Sequence, residues 1–498
     1  MRLKLPVVPQ QAVGRKAAAG CQQSIEEDVM PITRRGFLQA AASLSLTALP
    51  VLADSPNERI RVGVIGTGVR GKYLIGNLPP SVTVGAICDC ASLRIASVME
   101  PKGEFAKVLA HFIHADAAKC ATFQDYRRLL ERTKAKDKLD AVIIATPDHH
   151  HAQAAILALQ AGLDVYLEKP LTVTIREGRL LADAVKRTGR VLQVGSQQRT
   201  MEVNRFACEF LRNGGLGKIT KVELPNYPGP LPMPSLDQEP AFGGVDFDLF
   251  CGPAPLRSHH RHLWMKEDFK VGDLLWRGWD LFRDYSGHLM TNWGAHTVDM
   301  VQLALGRDDT GPVEVRAVEP NSVAELWPHW KSKTPTPVGN SATSTSDRRF
   351  WPVTMRYADG IELHFTPWAK TSELRGGPDF IVFHGEKGRL KMRRNHFETD
   401  PPGLISNGPD AAAMDKWKGG GHVARPHLEN WLDAIRDGAS LNAPVEVGHR
   451  TVTICHLANI ARDLNRPLHW DPVREQFTED AAANDSLTRP RRNGFSLS

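Results

Sequence analysis

A doubly wound parallel sheet, followed by an α+β domain with a large open and mainly antiparallel sheet, is the fold that this 498-residue sequence predicts. Three observations carry that reading. Short apolar runs alternate with helical patterns from residue 59 to 198. A Gly-x-Gly-x-x-Gly turn follows the first run and opens the first helix. After Gly217 the runs are short and are joined by hairpin turns. The length exceeds what one ordinary core fills, so two domains are expected.

Ahead of the first strand stands Thr33-Arg34-Arg35-Gly36-Phe37-Leu38, then an apolar stretch from Ala40 to Leu52 and a small residue at Ala53. Paired arginines before a short, weakly hydrophobic run read as a twin-arginine leader over residues 1–53. No charge interrupts positions 36–53, as it would in a buried amphipathic helix. Residues 1–29 are long for the segment before such a motif, and Met30 would start the leader in the usual place. The expectation is export in folded form by the twin-arginine translocase, to the periplasm, with no stable membrane span after processing. No apolar run is long enough to cross a bilayer. Without residues 1–53 the net charge falls from +6 to +3, and the basic residues are scattered, which argues against nucleic acid as a partner. The seven cysteines lack metal-ligand spacing, and free buried thiols are expected.

The first domain is expected over residues 58–198. Its strands read as Arg61–Ile65, Val82–Ile87, Asp140–Ala145, Asp164–Leu167 and Val191–Val194, each a short, mainly apolar run, as expected of strands covered on both faces. Thr174 and Glu177 form a capping box, and Gly189 closes the same helix.

Gly66-Thr-Gly68-Val69-Arg70-Gly71 sits between strand and helix. Its glycines allow a tight turn, a close approach to a pyrophosphate, and helix-on-strand packing. Asp89 ends the second strand 18 residues past Gly71, where a carboxylate accepts from both ribose hydroxyls. That carboxylate repels a 2′-phosphate, so NAD is expected rather than NADP, with Arg94 as the nearby cation that weighs the other way. Thr146-Pro147-Asp148-His149-His150-His151 ends a strand on the ligand-binding edge. Adjacent histidines point different ways, so no shared metal is expected there. Glu168-Lys169-Pro170 ends the next strand, a place that favours a reactive-site cation over a solvated loop lysine.

The second domain is expected over residues 199–472, with strands at Ile219–Leu224, Val313–Val318, Val353–Tyr357, Ile361–Thr366 and Asp379–His384. Two long loops, 225–257 and 328–349, interrupt it. Leu289–Gly306 reads as one helix with Asn292 and His296 on one face. Helices near 425–437 and 448–464 precede residues 473–498, whose polar, basic composition reads as a disordered tail. Around the 289–306 helix lie Trp276, Trp279, Phe282, Tyr285 and Trp293, divided between sugar stacking and core. His259, His260, His262 and His288 suggest a polar lid or solvated loop more than a metal site.

Gly66-x-Gly68-x-x-Gly71, Ala145-Thr146-Pro147, Glu168-Lys169-Pro170 and Gly294-Ala-His296-Thr-Val-Asp299 occur in this order. Together they make residues 58–470 resemble the glucose–fructose oxidoreductase / inositol dehydrogenase (Gfo/Idh/MocA) family. The resemblance implies a Rossmann domain, an open sheet that assembles dimers or tetramers, and chemistry on sugars, inositols or related polyols. It implies cofactor contacts from Gly66, Gly68, Val69, Arg70, Gly71 and Asp89. Further contacts are implied from Thr146, Pro147, His150, Glu168, Lys169 and Gln197. Lys169 becomes the active-site lysine and His296 the catalytic histidine, with Trp293, Asn292 and Asp299 also facing substrate. The family usually has aspartate where this chain has Asn292. With asparagine orienting the imidazole, the His296 pKa is expected near its ordinary value of about 6.5.

The leading reading is therefore an NAD-dependent sugar or polyol dehydrogenase or reductase. A redox-neutral glycosidase or lyase working through a transient keto-sugar, and a non-catalytic sugar-binding protein, are the alternatives.

Overall fold

The computed structural model describes residues 59–497 apart from 132–137, 234, 236–237, 241–243, 261–262, 264–277, 323–343 and 367–379. The leader expected at 1–53 lies outside the described residues, as do His262, Trp276 and most of the 328–349 loop.

Six parallel strands form the first sheet: β1 (Ile60–Ile65), β2 (Val82–Cys88), β3 (Ala121–Phe123), β4 (Ala141–Ile144), β5 (Asp164–Leu167) and β6 (Leu192–Val194). Their order is β3-β2-β1-β4-β5-β6, so the chain reverses direction across the sheet between β1 and β4. Ligands bind outside the carboxyl ends of strands at such a switch point. Every residue of β4 and β5 is buried, which is why these strands read as continuous apolar runs. Helices α1 (Val69–Asn77), α2 (His151–Gln160) and α3 (Ile175–Thr188) follow β1, β4 and β5. At α3 the Thr174 side chain accepts from the Glu177 amide at 3.2 Å, and Gly189 closes the helix at φ +64°.

After α4 (Glu202–Arg212) comes the second sheet, in the order β13-β12-β11-β7-β10-β9-β8-β14-β15. Its strands are β7 (Ile219–Pro225), β8 (Glu314–Ala317), β9 (Val353–Arg356), β10 (Glu362–Thr366) and β11 (Ile381–Gly385). Then follow β12 (Gly388–Arg393), β13 (His396–Asp400), β14 (Leu468–Asp471) and β15 (Gln476–Phe477). Among the described residues of this sheet, only β7 and β10 pair in parallel. The inner face (Val222, Leu224, Leu363, Phe365, Phe383) packs on α4, α7 (Gly294–Leu305) and α9 (Val445–Leu464). The outer face carries a row in register across seven strands: Asp400, Arg389, His384, Lys221, Glu362, Arg356 and Glu314.

Four expectations change. The 225–257 loop contains a short helix, α5 (Phe247–Cys251). The helix expected at 289–306 is divided at Trp293 into α6 (His288–Asn292) and α7, where the turn tightens and Trp293 carbonyl accepts from the His296 amide at 3.0 Å. The domain boundary is crossed by α8 (Arg425–Asp437), whose Leu428, Trp431 and Leu432 join Val62, Val64 and Ile87 in the core under the first sheet. Finally, the tail at 473–498 is ordered rather than disordered. Phe477, Phe495 and Leu497 are buried, and Arg489, Arg491 and Arg492 pair with carboxylates far back in the sequence. A basic stretch reads as solvated when its partners lie some 250 to 300 residues away.

Candidate active site

The turn after β1 is built by its glycines. Gly66 has φ +90°, and a Cβ on it would lie 2.6 Å from the Ala145 carbonyl. A Cβ on Gly71 would lie 2.1 Å from the Gly66 oxygen, so helix and strand meet with no side chain between them. Gly68, the N-cap of α1, meets only Arg94 Nη1, at 3.7 Å, which leaves room over the helix start. No side chain caps α1 and no acidic residue stands in its first turn. Its amides therefore face outward as an anion cradle.

Asp89 follows β2 and is buried. Its Oδ2 accepts from the Thr67 amide at 2.9 Å and Oγ1 at 3.2 Å, and Oδ1 accepts from the Ala91 amide at 3.0 Å. The carboxylate thus ties the glycine turn to β2 and to the residues that follow it. Asp89 lines a pocket with Gly66, Arg94, Thr146, Pro147, His150, Phe250 and Phe495. The Thr146 hydroxyl is buried there with no hydrogen-bond partner among the described residues. Cradle, ribose carboxylate and orphaned hydroxyl together fit a dinucleotide.

Not every expected cofactor residue points into this cleft. Val69 is exposed on α1. Arg70 Nε donates to Glu168 Oε1 at 2.7 Å, and Gln197 Nε2 donates to the same oxygen at 3.2 Å. These three form the partition between the cradle and Lys169. His149 and His150 each set Nε2 against the Phe250 carbonyl, at 2.8 and 2.9 Å, and His151 bridges the carbonyls of Pro170 and Thr146. The three histidines pin loops.

Beyond β5, Lys169 Nζ donates to Asn292 Oδ1 at 2.9 Å. Burial is the main force that lowers the Lys169 pKa to about 8; Arg70 and Arg394 push the same way, against Glu168 and Asp148. His296 lies in the same field. Burial, then the cations Arg394, Lys169 and Arg70, hold its imidazole well below the ordinary histidine range. The expected value near 6.5 is therefore corrected downward. Asn292 is corrected as well, because its carbonyl oxygen serves Lys169.

Two participants were missed. Asp148 is buried, accepts from Ser286 Oγ at 2.6 Å, and is pushed up to about 7, chiefly by burial, with Asp280 adding to it and Ser286 and Lys169 opposing. In the sequence it belongs to Thr146-Pro147-Asp148, next to three histidines that give a stronger local signal. Arg394, in the turn between β12 and β13, had no motif to mark it.

Asp299 drops out of the site. It is buried and accepts from Arg199 Nε at 2.7 Å and Thr451 Oγ1 at 3.1 Å. Phe282 and Tyr285 are core, packed with Phe250 and Cys251, and Trp279 lies against that cluster. Trp293 is partly buried against the second core. His259, His260 and His288 are buried, and among the described residues no three metal-ligand side chains converge.

A family profile described as oxidoreductase family, NAD-binding Rossmann fold, matches residues 60–196, and its companion, the C-terminal alpha/beta domain, matches 233–336 and 348–497. The chain is 32% identical over 150 residues to a glycosyl hydrolase family 109 protein of Stenotrophomonas maltophilia, covering 29% of this chain and 31% of that protein. It is 30% identical over 161 residues to scyllo-inositol 2-dehydrogenase (NAD(+)) of Bacillus subtilis, covering 32% and 42%. The matched stretch thus spans only 31% and 42% of the length of these curated relatives. Levoglucosan dehydrogenase, solved in complex with NADH and levoglucosan, shares the fold with TM-score 0.54 at 19% identity, over 82% of this chain and 99% of that one.

Proposed function

The chain belongs to the Gfo/Idh/MocA oxidoreductase family, and on that premise we propose that it transfers hydride between NAD and a sugar, inositol or related polyol. The observation that carries the proposal is the 2.9 Å bond from Lys169 to Asn292, which joins the two domains beside His296. When bound, the nicotinamide supplies the partner for the hydride. Lys169 supplies the cation that stabilises negative charge on the reacting carbinol oxygen. His296, neutral at physiological pH, takes the hydroxyl proton. Asn292 positions the ammonium, and Asp148 sets the local charge. Asp89 favours NAD over NADP, and the Arg34-Arg35 pair supports export through the twin-arginine pathway. Assembly into dimers or tetramers is assigned to the outer face of the nine-stranded sheet.

The glycosyl hydrolase relative favours one second reading, redox-neutral cleavage through a transient keto-sugar. Purified protein given a panel of sugars and glycosides separates the two. Net NADH formation supports the dehydrogenase, and bond cleavage without net NADH supports the second reading. Neither outcome, from protein that binds nucleotide, would overturn both.

A further inference from the structure

The C-terminal segment reaches back to the nucleotide pocket. Phe495 lines it together with Asp89 and is itself buried. Two guanidinium groups stand near its ring, Arg127 at 5.3 Å and Arg492 at 4.9 Å. Two residues on, Leu497 enters the core beneath the first sheet.

The segment is fastened at three places. On α3, Glu177 accepts from Arg489 Nε at 3.0 Å and also from Arg491. On α2, Gln153 accepts from Arg491 at 2.7 Å and donates to the Ser496 carbonyl at 3.2 Å. On α5, Asp248 takes both terminal nitrogens of Arg492, at 2.8 and 3.0 Å, while the Pro253 carbonyl accepts from the Arg492 amide. A fork-to-fork pair of that kind fixes orientation as well as position.

The helix at the third fastening also stands over the pocket. Ahead of α5, Gly244 carbonyl accepts from the Ser92 amide at 2.7 Å, and Cys90 carbonyl accepts from the Asp246 amide at 2.9 Å. Residues 244–246 are thus zipped onto the residues that follow Asp89. Leu249 and Phe250 then form the pocket wall beside Phe495.

We propose that residues 489–497 and α5 form a clasp over the nucleotide pocket, with Phe495 as a nucleotide-contacting wall, so that a bound dinucleotide leaves only when the Arg492–Asp248 fastening opens. The ligand class is an adenine dinucleotide, and the inference rests on the nucleotide site proposed above. Its consequence is a resident cofactor, kept through successive turnovers rather than exchanged with free nucleotide at each one.

The test uses the full chain loaded with radiolabelled NAD and freed of unbound nucleotide by gel filtration. Release is then followed during a chase with excess unlabelled NAD. Wild type should release slowly. Phe495→Ala and Asp248→Ala should each release about tenfold faster or more, because losses at an enclosed site appear mainly in the off-rate. The Asp248 side chain is 63% exposed, so its removal leaves the core intact, and a melting curve verifies this. Arg466→Ala, which breaks an exposed pair with Asp480 away from the pocket, should release at the wild-type rate. The charge-swapped double variant Asp248→Arg, Arg492→Asp should recover slow release. Wild-type release rates in folded Phe495→Ala and Asp248→Ala would overturn the clasp and leave the nucleotide site standing. A wild-type protein that binds no adenine dinucleotide would overturn the site itself, and the clasp with it.

Discussion

Lys169 faces the amide of Asn292, and the charge on that neighbour governs its protonation. An asparagine oxygen accepts the ammonium hydrogen bond without adding negative charge, so burial prevails and the pKa falls to about 8. Asn292→Asp is nearly isosteric and adds a charge at hydrogen-bond distance. It should raise the Lys169 pKa, moving the alkaline limb of the rate profile up by about one unit or more. An unmoved limb, measured on any active substrate, removes Asn292 from this role. Lys169→Ala should lower turnover by about a hundredfold or more while leaving nucleotide binding in place. Asp148 gives a second pH signature. Its folded-state pKa of about 7 lies above the ordinary value, so between about pH 4 and 7 the folded chain keeps a proton that the unfolded chain has lost. Stability therefore falls as pH rises through that window. Asp148→Asn should raise the melting temperature more at pH 8 than at pH 4, and equal gains would contradict the assignment. Short motifs mark Lys169 and His296 in the sequence, and the structure adds that Lys169 is bonded to Asn292. Asp299 was drawn in by the same motif, since nothing local reveals that Arg199, a hundred residues away, already claims it.

Among the elements, strands that are apolar throughout were legible, while β3, three residues long, offers no pattern to read. The Thr174–Glu177 box was half right. Thr174 accepts from Glu177, but the Glu177 carboxylate accepts from the Val173 amide and from Arg489 and Arg491. A residue read as a local cap is also the anchor for a distant segment. Thr174→Ala should cost about 1 kcal/mol, as cap losses usually do. Glu177→Gln should cost more, because it leaves two largely buried guanidinium groups short of charge. Urea melts of the two variants give the order, and limited proteolysis should cut near residue 490 faster in Glu177→Gln. The reverse order would return Glu177 to a purely local role.

At the scale of the whole molecule, the outer row of ionisable side chains across seven strands bears on assembly. An association built on that face should weaken as salt rises toward 1 M, where the Debye length shrinks to about 3 Å. Sedimentation at low and high salt decides this, and a salt-independent mass would move the contact elsewhere.

Helix α8 sets a timetable for synthesis. The last strand of the first sheet, β6, is complete at residue 194, yet the helix that covers one face of that sheet begins at residue 425. At ordinary translation rates the intervening residues take on the order of ten to fifty seconds to emerge. Throughout that interval Val62, Val64 and Ile87 lack Leu428, Trp431 and Leu432 as neighbours, and the nascent sheet presents an apolar face to the cytosol. A stalled chain ending near residue 200 should recruit chaperone, and one extended past residue 470 should release it.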